Sequence, residues 1–183
     1  MRWTMLASAT LATACFLSRV PQANAEEFFA RFSGFQEVGG LGAGETGAIF
    51  SPGKASLKLD LDKNAHTLTF TLTYSELNAP VTQAHIHFGK IHVAGGIIVF
   101  FCSNLANPPP GTQPCPGNGG TVTGTLTAGN VVGPTAQNVT PGNFDALVAA
   151  LESNTAYANI HTTAFPAGEI RGQIRRGERE DDQ

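Results

Sequence analysis

The stretch Lys54 to Leu77, KASLKLDLDKNAHTLTFTLTYSEL, constrains the fold more than any other part of the chain. Ala55, Leu57, Leu59 and Leu61 alternate with Ser56, Lys58 and Asp60. Beyond a turn at DKNA, Leu68, Phe70, Leu72 and Tyr74 alternate with threonines. Successive side chains of a strand point to opposite sides, so this period of two describes an antiparallel hairpin with one buried face. His66 falls in phase with Leu68 and Phe70 and is read as a structural residue that belongs to the buried face or caps its end.

Further strand candidates are FFARFSG (28–34), GAIFS (47–51), QAHIHF (83–88), GIIVFF (96–101), TVTGTLTA (121–128), AYANIHT (156–162) and EIRGQIR (169–175). Only NFDALVAALES (143–153) has helical spacing, with Phe144, Leu147, Val148 and Leu151 on one stripe and an N-cap supplied by the lead-in Thr140-Pro141-Gly142-Asn143. Short strands between Gly, Pro and Asn turns predict an all-β domain over residues 26–174, a Greek-key β-sandwich or flattened barrel with one short helix.

The first residues read as an export signal. Arg2 precedes an apolar run at 4–17, and Ala23-Asn24-Ala25 supplies a small-x-small cleavage site, so the predicted signal peptide is 1–25. The run is shorter than the roughly 20 residues of a membrane span, and the mature chain is expected to have none. Lipidation at Cys15 is disfavoured because Ala12 stands where a larger aliphatic is usual. The chain has 11 Lys and Arg against 14 Asp and Glu, and two of the basic residues, Arg2 and Arg19, lie in the signal. An acidic mature chain argues against nucleic acid, which needs a clustered basic face. Residues 175–183, RRGEREDDQ, are read as a disordered charged tail.

Cleavage removes one of the three cysteines and leaves Cys102 and Cys115. In an oxidising compartment these predict a disulfide that contributes about 3 kcal/mol by closing a loop of this size; a thiolate metal site is the lesser alternative. Asn138-Val139-Thr140 matches the N-glycosylation acceptor pattern, which matters only in a eukaryotic host.

The five histidines are His66, His85, His87, His92 and His161. In a strand His85 and His87 share a face, about 6.5 to 7 Å apart, and can tilt onto one ion. Neutral imidazole suits copper or zinc. The third ligand is expected from His161, with His92 next; His92 sits in a Gly-flanked turn. Protonation would weaken such a site as pH falls through roughly 6 to 7. The competing reading makes His-x-His the solvent-facing half of an ordinary strand.

A short internal echo supports the pairing with His161: Ala84-His85-Ile86-His87 matches Ala158-Asn159-Ile160-His161, which suggests two halves related by a pseudo-dyad with their histidines close together. Ser75 and Ser103 lack a nucleophile motif, and no Gly-rich segment has a phosphate-loop pattern. Glu169 and Arg171 share a strand face and are read as a structural ion pair.

The motifs FSGFQEV (32–38), AHIHFG (84–89), GGIIVFFC (95–102), TVTGTLTA and NIHTTAFPAGEIRGQI (159–174) resemble those of the CHRD domain family, named for the repeats of chordin. The likeness runs from about Phe28 to Ile174. It departs from the common pattern at Gly39-Gly40 and at Ala94, both in turns. The resemblance implies a secreted β-rich domain, found singly in bacterial exported proteins and in tandem in chordin, with no enzymatic activity implied. A looser likeness is to copper–zinc superoxide dismutase, whose two-metal ligand set asks for more histidines than this chain has.

The expected function is that of an exported, non-enzymatic binding protein holding one copper or zinc ion through His85, His87 and His161, with His92 in reserve. The alternative is a protein- or matrix-interaction module with no metal. A copper-dependent dismutase-like activity is the third reading.

Overall fold

The computed structural model describes residues 25–38 and 47–177. The predicted signal up to Asn24, Gly39-Gly40 and the tail from residue 178 lie outside the described residues. The strands are β1 (Ala25–Phe32), β2 (Lys54–Asp62), β3 (Thr67–Ser75), β4 (Val81–Phe88), β5 (Gly96–Ser103), β6 (Gly120–Leu126), β7 (Ala156–Thr162), β8 (Ile170–Gln173) and β9 (Arg175–Arg176). One helix, α1 (Phe144–Glu152), joins β6 to β7 through the segment that precedes it.

The opening hairpin forms as its alternation dictates. Leu57 pairs with Leu72, Leu59 with Phe70 and Leu61 with Leu68, and all six are buried. The turn is closed by Asp62, whose Oδ1 accepts the backbone N–H groups of Asn64 and Ala65 at 2.9 Å each. His66 leaves this turn with φ 51°, exposed, and stacks on Phe144 with ring centroids 5.9 Å apart. It caps the hairpin end; it is not part of the buried face, because the left-handed turn lifts it out of phase with Leu68.

The strands form two antiparallel sheets, ordered β6-β3-β2-β1-β9 and β5-β4-β7-β8. Neither closes on itself, so of the two expected architectures the sandwich is the one adopted. Its core joins the leucine face of the hairpin to Ala84, Ile86, Ile98, Phe101, Ala158 and Ile160 of the second sheet, and Phe70 meets Phe101 at 4.7 Å. Helix α1 adds Phe144, Leu147, Ala150 and Leu151. Asn143 is its N-cap, with the side chain accepting the Ala146 N–H at 3.0 Å.

Three expectations are corrected. GAIFS is no strand: Ile49 makes a single backbone bond to the Gly34 carbonyl at 2.8 Å while Gly47 has φ 84°, and no ladder forms. Arg175 and Arg176 do not begin a free tail; β9 pairs them with Phe29 and Phe28, and Arg176 reaches Glu26 at 2.7 Å beside Glu152 and Lys63. Glu169 and Arg171 are not ion-paired. Ser51, Asn78 and Thr162 donate to the Glu169 carboxylate, while Arg171 donates to the carbonyls of Lys90 and Val93 at 3.1 Å. β8 begins only at Ile170, so Glu169 lies outside the strand that carries Arg171 and the two side chains meet different partners. Cys102 and Cys115 are joined, tying the end of β5 to the Pro-rich loop that follows it.

The two sheets differ in a way that positions the site. The first alternates buried and exposed residues, as along β2, where one face is wet. In the second, all seven residues of β7 are buried, and so are Ala84, His85, Ile86 and His87 of β4. The face turned away from the core is therefore polar in sequence and dry in the fold. Residues from the β1–β2 connection, the Gly89–Gly95 turn and the 163–169 loop pack against it, through Glu37, Gly95 and Pro166 respectively.

Candidate metal centre

β4 and β7 lie side by side with Ala84 opposite Ile160, His85 opposite Asn159 and Ile86 opposite Ala158. This register turns the sequence echo into geometry. A local two-fold through the His85–Asn159 pair carries Ala84 onto Ala158, Ile86 onto Ile160 and His87 onto His161. His87, two residues along the same strand, and His161, diagonally across on β7, therefore both lie within reach of the His85 ring. The pseudo-dyad holds for this strand pair.

The ring of His85 stands 4.5 Å from that of His87 and 4.7 Å from that of His161, centroid to centroid. One nitrogen from each lies within 4.8 Å of the others. On a tetrahedral ion with bonds of about 2.0–2.1 Å, neighbouring donors stand roughly 3.3–3.4 Å apart, so the rings close on an ion by rotating inward. His85 is 0 % exposed, His161 7 % and His87 9 %. The solvent-facing alternative for His-x-His is thus overturned: the covering loops replace water on that face.

Hydrogen bonds fix which nitrogens are free. The Pro166 carbonyl accepts from His161 Nδ1 at 2.8 Å, so the proton sits on Nδ1 and Nε2 keeps its lone pair. The Gly95 carbonyl likewise accepts from His87 Nδ1 at 2.7 Å, which keeps that ring's proton on Nδ1. His161 Nε2 and both nitrogens of His85 have no hydrogen-bond partner among the described residues. Burial holds all three imidazoles below their ordinary pKa. For His85 the neighbouring His87 and His161 add to it, and His87 is pushed down to about 4. Burial thus keeps these rings neutral below the pH of roughly 6 to 7 over which free imidazoles take up protons.

The surroundings are equally specific. Phe100 presents its edge to His85 at 5.1 Å and walls one side. Tyr157 stacks on His87 at 4.6 Å with planes 4° apart, and the Arg171 guanidinium lies over the Tyr157 ring at 3.3 Å. Glu37, 5 % exposed, lies beside the Asn159 amide, and its pKa is raised to about 7 by burial despite the Arg171 charge. Its carboxylate fills the space beside Gly168, where a Cβ would stand 1.9 Å from Glu37 Oε2.

The structure brings together His85, His87 and His161 and leaves His92 out. His92 is exposed at φ 60° in the β4–β5 turn and takes no part in the cluster. Reasoning from sequence did not single out Glu37, Tyr157 or Asn159 as part of the site. The match of His85 to Asn159 in the echo was the signal for the last of these; nothing in sequence marks the other two.

A two-sheet antiparallel sandwich carrying a buried three-histidine cluster on the outer face of one sheet is the class of protein described so far. The chain belongs to the CHRD domain family, whose model matches residues 28–174. No curated protein and no solved structure matches it.

Proposed function

We propose that this chain is an exported, non-enzymatic CHRD domain that holds one copper or zinc ion through His85, His87 and His161. One observation carries the reading: a nitrogen from each of the three buried rings lies within 4.8 Å of the others, and His161 Nε2 and both nitrogens of His85 have no hydrogen-bond partner among the described residues. Buried polar atoms are nearly always partnered, and an ion would take the lone pair of His161 Nε2 and the single lone pair of neutral His85 together. The donor set is neutral nitrogen, which favours copper or zinc over calcium or magnesium. The disulfide and the occurrence of CHRD domains in extracellular proteins support export.

Calorimetric titration of the purified protein with Cu(II) or Zn(II) tests this, beside a His85→Ala/His87→Ala variant. The expected result is one ion per chain for the parent and none at comparable affinity for the variant. No binding by the parent, or equal binding by both, contradicts it.

A second reading, a module that docks on a protein or matrix, is favoured by one surface feature. Phe35 and Phe50 are 66 % and 90 % exposed and meet edge to face at 6.3 Å. Paired exposed aromatics are a common anchor for partners. The two readings are compatible, since this pair and the histidines are separate features.

A further inference from the structure

His87 and Asn159 meet in a way that neutral hydrogen bonding does not explain. With the His87 proton held on Nδ1 by the Gly95 carbonyl, Nε2 presents a lone pair, and 3.1 Å away it faces Asn159 Oδ1, which also presents lone pairs. The Asn159 Nδ2 points the other way, to the space beside Gly168 that the Glu37 carboxylate occupies, so turning the amide would set Oδ1 against that carboxylate. Two acceptors are thus aimed at one another in a site 4 % exposed at Asn159 and 9 % at His87.

A cation between them removes the conflict. Donors on one tetrahedral ion, with bonds of about 2.0–2.1 Å, stand roughly 3.3–3.4 Å apart, a small opening from the 3.1 Å found here. Asn159 is also the pseudo-dyad partner of His85, directly opposite it in the strand pair. Its side chain therefore projects on the same sheet face as the three rings.

We propose that Asn159 Oδ1 is the fourth ligand, making the centre a closed three-nitrogen, one-oxygen site. This rests on the metal reading above. Glu37, buried beside the amide Nδ2, then keeps that end of Asn159 turned away and helps aim Oδ1 at the ion. A site closed by four protein donors has no position for a small exogenous ligand, which suits storage or structure and not turnover.

Cobalt(II) is the probe, because its visible bands report coordination. In the parent protein loaded with Co(II), the spectrum is expected to be unmoved by azide. In Asn159→Leu, azide is expected to shift it, and affinity for Co(II) to fall at least about tenfold. Azide shifting the parent spectrum, or an Asn159→Leu protein that matches the parent in spectrum and affinity, overturns the fourth ligand while leaving a three-histidine site intact. Failure of the parent to bind Co(II), Cu(II) or Zn(II) at all instead removes the metal reading itself.

A measurement on the metal-free parent needs no variant: 15N chemical shifts of the His87 ring. A proton on Nδ1 is expected. A proton on Nε2, donated to Asn159, overturns the proposal.

Discussion

At the scale of single residues, the site is defined by imidazoles held neutral where an unfolded chain would titrate them near pH 6.5. A folded pKa below the unfolded one means that the unfolded state takes up protons first as pH falls. The stability these residues confer is therefore complete above about pH 6.5 and drains away toward pH 4; for His87, pushed down to about 4, the loss is on the order of 3 kcal/mol. Glu37 acts with the opposite sign. Raised from 4.5 to about 7, it stabilises the fold at low pH and loses that contribution as pH rises through 7. Three imidazoles outweigh one carboxyl. Urea denaturation of the metal-free protein is expected to give a lower stability at pH 4.5 than at pH 7.5, and Glu37→Gln, which removes the opposing group, to steepen the decline. Equal stability at the two pH values would mean that the rings are not held neutral. None of these shifts was legible in the sequence, because alternation says which way His85 and His87 point and is silent on what covers them.

At the scale of elements, local pattern was legible wherever one face meets the core and the other meets water. The β2–β3 hairpin, helix α1 with its Asn143 cap, and the Cys102–Cys115 bridge all follow from spacing and composition. GAIFS failed because a short apolar run that packs under a loop looks like a strand; Ile49 is buried, yet it bonds the chain at one point only. Glu169 and Arg171 failed for a related reason, since their partners come from residues far away in sequence: Ser51 and Asn78 for one, Lys90 and Val93 for the other. The loop that carries Gly168 shows how tightly such distant segments are matched. With φ +131° and the Glu37 carboxylate in the space of its missing Cβ, Gly168 tolerates no side chain. Gly168→Ala is expected to cost at least about 2 kcal/mol in chemical denaturation, from the backbone conformation alone and before the clash is counted. A loss under half that would show that the loop carrying Gly168 relaxes into a backbone conformation that alanine can adopt.

At the scale of the whole molecule, the sandwich places a second, dry layer outside its hydrophobic core. The first sheet behaves as its sequence alternation requires, with leucines inward and threonines outward. The second is covered on both faces, and the covered outer face holds His85, His87, Tyr157, Asn159, His161 and Arg171. The echo between AHIH and ANIH was legible in sequence as a hint of symmetry, and the register of β4 with β7 shows what it does: it folds four polar side chains of one face about a common point. The choice between sandwich and barrel was not legible, since it depends on which strands end as edges. The most direct test of a metal centre here is a crystal of the protein grown with Zn(II), with anomalous density collected at the zinc absorption edge. The account predicts a single peak about 2.0–2.1 Å from nitrogens of His85, His87 and His161. A fully occupied peak at His92 or at surface carboxylates, with none among those three rings, would contradict it.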